Sequence, residues 1–297
     1  ARLGAFVSSE VIPDTAREVA CAAVQDTVGV ILAGAVEPAA GIVQRVLEAE
    51  GGTGQSHILG SSQSCGPSSA ALANGTAAHA LDFDDMCWVT LAHPSAPLVA
   101  AGLAVGETVK ASGQTLLDAY VVGFEVEAVL GAVMNPSHYE HGWHCTSTIG
   151  TIGAAASAAR VLGLDAEGTT RALSIAASEA SGLKENFGTM VKPLQGGLAA
   201  RNGVLAALLA QEGFSASAHA IDGSQGFLVA MQSEKTDISS ALVELGQRWE
   251  ILEGGINHVL RHTPRLIRCL IYVLSLTLCR MRSNPSRCLL IQLHPPS

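Results

Sequence analysis

Four polar clusters interrupt an otherwise apolar chain, and each falls where a helix is expected to start or stop. The first is Leu81-Asp82-Phe83-Asp84-Asp85, at the end of a helix that contains His79. Three carboxylates in four residues suit metal ligation or acid–base work, and they suit a solvated loop equally well. The D-D-x-x-D metal pattern of helical isoprenoid synthases is not formed, because Trp88 stands where its last acid belongs. The second cluster is Ala92-His93-Pro94-Ser95. A residue before proline is held away from helical geometry. His93 is therefore expected at the positive N-terminal end of the next helix, a natural seat for an anion, although plain capping also fits.

The third cluster runs His138-Tyr139-Glu140-His141-Gly142-Trp143-His144-Cys145-Thr146. Three histidines at spacing three would ligate zinc on a helix. Here Pro136 and Gly142 indicate a loop, and the H-E-x-x-H order is absent. Imidazoles that gain or lose a proton near neutral pH act instead as acids, bases or anion ligands. The fourth cluster is Gly188-Thr189-Met190-Val191-Lys192-Pro193-Leu194-Gln195-Gly196-Gly197. Lys192, one of only four lysines, precedes a proline at an expected helix start. One ammonium beside free backbone N–H groups suits a carboxylate or phosphate; a surface lysine needs no such reason. Together, Asp82, His93, His144 and Lys192 would hold a polyanionic small molecule and move protons without a metal.

The elements that must position these groups read as helices: 16–32, 39–49, 67–81, 94–110, 116–134, 148–162, 166–180 and 194–211. A short strand is expected over 55–60, and no stretch alternates well enough to support a sheet. Most of these helices are apolar all round, which marks core helices. The fold class is thus mainly α: one large all-helical domain, or helices offering a broad apolar surface to a dimer partner.

Composition agrees. The 297 residues are 48% hydrophobic and 4% aromatic, so closely packed Ala, Val, Leu and Ile dominate, and disorder is excluded. The net charge of -9 argues against nucleic acid as a partner. That charge is uneven. Residues 254–297 hold six arginines, no lysine and no acid, whereas residues 1–253 carry -15. Seven scattered cysteines without a C-x-x-C pair exclude a disulfide scaffold or structural zinc and point to a reducing compartment. The cytoplasm is expected, or the mitochondrion if a transit peptide was removed. The longest apolar run, Cys269 to Cys279, falls short of the ~20 residues of a membrane helix, so no membrane partner is expected.

The chain resembles the MmgE/PrpD family, which includes 2-methylcitrate dehydratase, cis-aconitate decarboxylase and iminodisuccinate epimerase. The resemblance rests on Asp26-Thr27-Val28-Gly29, on the run Asn74-Gly75-Thr76-Ala77-Ala78-His79 that leads into Asp82-Phe83-Asp84-Asp85, and on His93-Pro94-Ser95. It continues through Gly142 to Gly150, Lys192 to Gly197 and Gly213-Phe214, in order over residues 3–255. It implies a large helical domain, a smaller α+β lid domain, a homodimer and a cofactor-free site. Carried over by motif, Asp82, His93, His144 and Lys192 are its catalytic residues, and Lys192, His93, Thr146 and Gln195 its substrate contacts; no metal is implied. The lid pattern does not follow: the Arg/Leu/Cys-rich tail stands in its place, so residues 1–253 read as the helical domain and 254–297 as an aberrant basic tail. Two readings remain. One is a lyase acting on a di- or tricarboxylate, by 2-methylcitrate dehydration or cis-aconitate decarboxylation. The other is a truncated, inactive remnant, or an epimerase of an iminodicarboxylate.

Overall fold

Several helices start or stop on local signals, close to where periodicity places them. The computed structural model describes residues 1–253; the basic segment beyond them, with its apolar run and the lid expectation, lies outside the described residues. Twelve α-helices are present among the described residues: α1 Arg2–Ser9, α2 Asp14–Gly34, α3 Pro38–Glu50, α4 Pro67–Ala78, α5 Ser95–Val109, α6 Gly113–Met134, α7 Ser137–Glu140, α8 Cys145–Leu162, α9 Ala166–Glu179, α10 Val191–Gln211, α11 Phe227–Ala230 and α12 Ser239–Val243. Helix α3 opens on Pro38 and closes on Gly51 at φ 69°, the left-handed position glycine takes without strain. The Ser112 side chain accepts from the Thr115 N–H to start α6, and Asp165 accepts from Gly168 N–H to start α9.

Three expectations needed correction. Helix α1 was not anticipated; its Leu3, Phe6 and Val7 are buried, so packing rather than length makes it. Helix α4 ends at Ala78 rather than at Leu81, because the chain turns at Asp82, φ 56°. Helix α10 starts at Val191, which puts Lys192 inside its first turn instead of before it. The strand expected over 55–60 is real but minimal. Ser56–His57 (β1) pairs antiparallel with Ser64–Cys65 (β2), a two-stranded ribbon that the sequence pattern did not show.

Helix α8 is the centre of the fold. It packs against α5, α6, α9 and α10, and α10 in turn packs against α4. Every residue from Cys145 to Ala159 is buried, so its all-round apolar character is used up within this one chain. Few aromatics are needed because helices meet through small residues. Helix α4 meets α10 at Gly75 and Gly197: a methyl on Gly75 would lie 2.9 Å from the Gly197 Cα, and one on Gly197 would fall on the Thr76 hydroxyl and Leu72 carbonyl. Those are main-chain and short-side-chain obstacles, which cannot swing away. Gly197→Ala is therefore expected to cost about 1–3 kcal/mol, typical of overpacking, and thermal unfolding would register it; an unchanged midpoint would show that α4 and α10 can separate freely.

Two buried acids lie in this core. Glu125 is pushed up to about 7 by burial, and its carboxylate accepts the Glu250 and Ile251 N–H groups at 3.1 and 3.0 Å, pinning the last described turn. Glu127 is fully buried, and neither oxygen has a hydrogen-bond partner. Burial, with Asp85 nearby, holds it well above the usual carboxylate range. A neutral acid in the folded state and an ionised one in the unfolded state mean that stability falls as pH rises above the ordinary Glu range. Glu127→Gln is expected to match wild type near pH 4 and to melt several degrees higher by pH 8, at about 2–4 °C for each kcal/mol in a chain of this size. Parallel melting curves across pH would refute this.

Candidate active site

The four clusters of the sequence come together at the ends of α4, α5, α8 and α10. Asp82 and Asp84 follow α4; His93 precedes α5; His144 caps the start of α8; Lys192 lies in the first turn of α10. The left-handed turn at Asp82 alternates the carboxylates. The Asp82 side chain is 61% exposed, while that of Asp84 is wholly buried. Asp85 turns inward to the Ser95 hydroxyl at 2.6 Å, and Ser95 meets the Tyr120 hydroxyl at 2.7 Å. The acidic run is thus one exposed carboxylate at the site, one beneath it, and one that holds the start of α5. A plain solvated loop does not describe it.

At the open edge, the Lys192 ammonium pairs with Asp82 Oδ1, and His93 Nε2 stands 3.7 Å from the same oxygen. Burial pushes the Asp82 carboxyl up, but the hydrogen bond and charge of Lys192 outweigh it and hold Asp82 below the usual range. Phe187 forms one wall, edge-on to the His144 ring at 4.8 Å and 5.6 Å from Lys192 Nζ. Phe83, Trp88, Leu183 and Met190 are exposed apolar neighbours in sequence of these groups.

His144 has a defined tautomer. Gln195 Nε2 donates to the Leu183 carbonyl at 3.2 Å, which turns Gln195 Oε1 toward His144 Nδ1 at 2.6 Å. An amide oxygen only accepts, so Nδ1 carries the hydrogen and Nε2 keeps its lone pair. Burial, the nearby His79 and the Lys192 charge push His144 down to about 3. It is a neutral base at neutral pH. Gln195 and Thr146, expected as substrate contacts, are both buried and engaged: the Thr146 hydroxyl accepts the His93 N–H at 3.0 Å. Each positions one histidine.

His79 was not singled out as a site residue, yet it lies at the centre. Its ring is 4.8 Å from that of His93 and 5.6 Å from that of His144, and its Nδ1 is 2.7 Å from Asp84 Oδ2. Its place directly after Ala78, five residues before Asp84, was the available signal; a histidine at a helix end among alanines reads as core. Of the three histidines expected in one loop, only His144 belongs here. His138 is wholly buried between the Met231 carbonyl, 2.6 Å, and the Thr148 hydroxyl, 2.7 Å, and His141 bonds within its own turn.

One ligand atom each from His79, Asp82, Asp84 and His93 lie within 4.8 Å of one another, a spacing a metal ion can bridge. The donor set does not fit one well. Lys192 already supplies the cation at Asp82, and His79 already takes Asp84 Oδ2. An ion there would have to displace an ammonium and break a buried hydrogen bond.

Fold and site together define an all-helical domain with an imidazole–carboxylate–ammonium cluster at its helix ends. The chain matches the MmgE/PrpD N-terminal domain over residues 2–239 and belongs to that family. It is 37% identical over 166 residues to the cis-aconitate decarboxylase of Homo sapiens, covering 54% of this chain and 34% of that protein. It is 31% identical over 215 residues to a cis-aconitate decarboxylase-like protein of Aspergillus oryzae, covering 66% and 44%. With the cis-aconitate decarboxylase of Aspergillus terreus the identity is 32% over 185 residues, covering 60% and 38%. The chain thus spans less than half the length of these relatives. Among the described residues no single helix is long and apolar enough to cross a membrane.

Proposed function

We propose that this domain supplies the helical half of a lyase site that decarboxylates cis-aconitate by acid–base chemistry. The names of the three relatives support the reaction. The observation that carries it in this chain is the open edge of the cluster, where one ammonium and the outward nitrogen of a neutral-leaning imidazole meet at a single carboxylate oxygen. Those groups are suited to receive a second carboxylate, that of the substrate, by charge-assisted hydrogen bonds.

In the reaction, the bond from the methylene carbon to its carboxylate breaks and carbon dioxide leaves. The electron pair spreads across the adjoining double bond. The far carbon of that allylic anion then takes one proton, which moves the double bond and gives itaconate. Lys192 holds a carboxylate of the substrate. His144 Nε2, the lone-pair nitrogen, accepts the hydrogen of a protonated substrate carboxyl and so orients the ligand, and His93, whose Nε2 faces the open edge, delivers the proton. The small polycarboxylate is the partner; pairing with a second copy of the chain is part of the same proposal.

Dehydration of 2-methylcitrate and epimerisation of an iminodicarboxylate pass through similar carbanions. A panel of cis-aconitate, 2-methylcitrate and an iminodicarboxylate separates them, read by product formation and by binding. Itaconate formation that is lost in His144→Ala is the expected result. Turnover unchanged from wild type in both His144→Ala and Lys192→Ala would overturn the site assignment.

A further inference from the structure

Beneath the open edge lies a group of polar atoms that the proposed reaction does not yet use. His79 Nε2, Asp84 Oδ1 and His93 Nδ1 are all buried and none has a hydrogen-bond partner. Unpartnered buried polar atoms are rare because each forfeits its hydration. Three of them in adjoining rings and one carboxyl call for a reason. His93 bridges the two levels: its Nδ1 is 3.5 Å from buried Asp84 Oδ2, and its Nε2 is 3.7 Å from exposed Asp82 Oδ1. One imidazole therefore has one nitrogen toward a sealed acid and the other toward the site.

We propose that Asp84, clamped by His79, is a buried proton store that recharges His93 during turnover. The inference rests on the lyase reading for its catalytic consequence. When His93 Nε2 gives its proton to the substrate carbon, Nδ1 takes the Asp84 proton, which leaves an Asp84 carboxylate and a neutral His93 bearing hydrogen on Nδ1. Solvent then protonates Nε2 at the open edge, and Nδ1 returns its proton to Asp84. One proton is consumed per carbon dioxide released. Asp84 and His79 never touch the substrate and act through His93; they are positioning residues.

The electrostatics suit the task. Burial pushes the Asp84 carboxyl up to about 7, opposed by His93 and Lys192 and aided by Asp82. Burial and the Lys192 charge push His79 down, so that it stays neutral and donates from Nδ1 to Asp84 whenever that acid is ionised. Burial likewise lowers His93. The groups facing the store are thus His79 and Asp82 from the end of α4, His93 before α5, His144 at the start of α8 and Lys192 on α10. The pair titrates as a unit, and its midpoint belongs to both residues.

The test uses carbon-13 NMR of the aspartate carboxyls and nitrogen-15 NMR of the imidazoles, beside turnover. Asp84 is expected to titrate near neutral pH, and the His93 nitrogens to move with the same midpoint. Asp84→Asn is expected to remove that step from His93, to lower kcat by tenfold or more with KM unchanged, and to flatten the neutral limb of the pH profile. His79→Gln, which still donates to Asp84, should keep the store with a shifted midpoint, and wild-type shifts of the distant His57 and His219 in Asp84→Asn show that this variant folds. An Asp84 carboxyl ionised down to pH 5, or a His93 titration unaltered by Asp84→Asn, overturns the store. If the wild type turns over no polycarboxylate, the lyase reading fails, and the coupled titration still decides the store by itself.

Discussion

Replacing Lys192 by alanine is expected to weaken cis-aconitate binding by about a hundredfold, the loss of a charge-assisted hydrogen bond worth roughly 1.5–3 kcal/mol. The size of the effect has two sources. The variant removes the ammonium at the open edge, and it uncovers Asp82, whose carboxylate now repels the incoming anion. Lys192→Ala should therefore be worse than simple loss of a contact, and adding Asp82→Asn should restore part of the affinity. Asparagine is tolerated at the left-handed φ of 56° that Asp82 occupies, so this second change is not expected to disturb the turn. Titration calorimetry reads both effects. Equal affinities for wild type and Lys192→Ala would remove Lys192 from the site, and a double variant no better than the single one would show that Asp82 does not act through charge.

Losing the His144 imidazole is expected to lower kcat by about 10²-fold, the scale of a substrate held out of position. The more discriminating change is at Gln195, which sets the His144 tautomer from 2.6 Å. Gln195→Leu frees the ring to rotate and should reduce kcat less than His144→Ala. Gln195→Glu keeps an acceptor but puts a negative charge beside Nδ1. The sign follows directly: His144 is held down to about 3, so it is neutral throughout the working range. A carboxylate neighbour stabilises the imidazolium and raises that value. Activity in Gln195→Glu should then fall on the acidic side of the pH profile, near pH 5–6, where wild type is flat. A wild-type profile in this variant would mean that turnover does not depend on a neutral His144.

Much of this site is legible in residue order because helix ends are local events. Proline, glycine and short polar residues mark them, and the residues of the cluster sit beside those marks: His93 before Pro94, Lys192 before Pro193, His144 at the cap of α8. Central burial was legible too, since Thr148–Leu162 carries almost no charge and α8 is indeed enclosed. Inward and outward direction was not. Asp82 and Asp84 are two residues apart and chemically identical, yet one is exposed and one sealed, because a single left-handed residue turns the chain between them. His138 and His144 read alike in one loop, but His138 anchors the Met231 carbonyl from across the fold. His79 was named but not taken as a site residue, because nothing in an alanine-rich helix announces that three other helix ends will converge on it. Gln195 and Thr146 stand out in the sequence by motif, but the histidines they hold within this chain show only in the fold.

The most direct measurement is a nitrogen-15 titration of the histidine side chains with cis-aconitate, performed on the chain as it stands. If the cluster is a polycarboxylate site, the His93 and His144 resonances shift together and saturate, while His57, His138 and His219, which lie in other parts of the fold, stay fixed, and Lys192→Ala abolishes the shifts. Shifts spread evenly over all the histidines, or none at His93 and His144 at saturating ligand, would contradict a carboxylate site built from these residues.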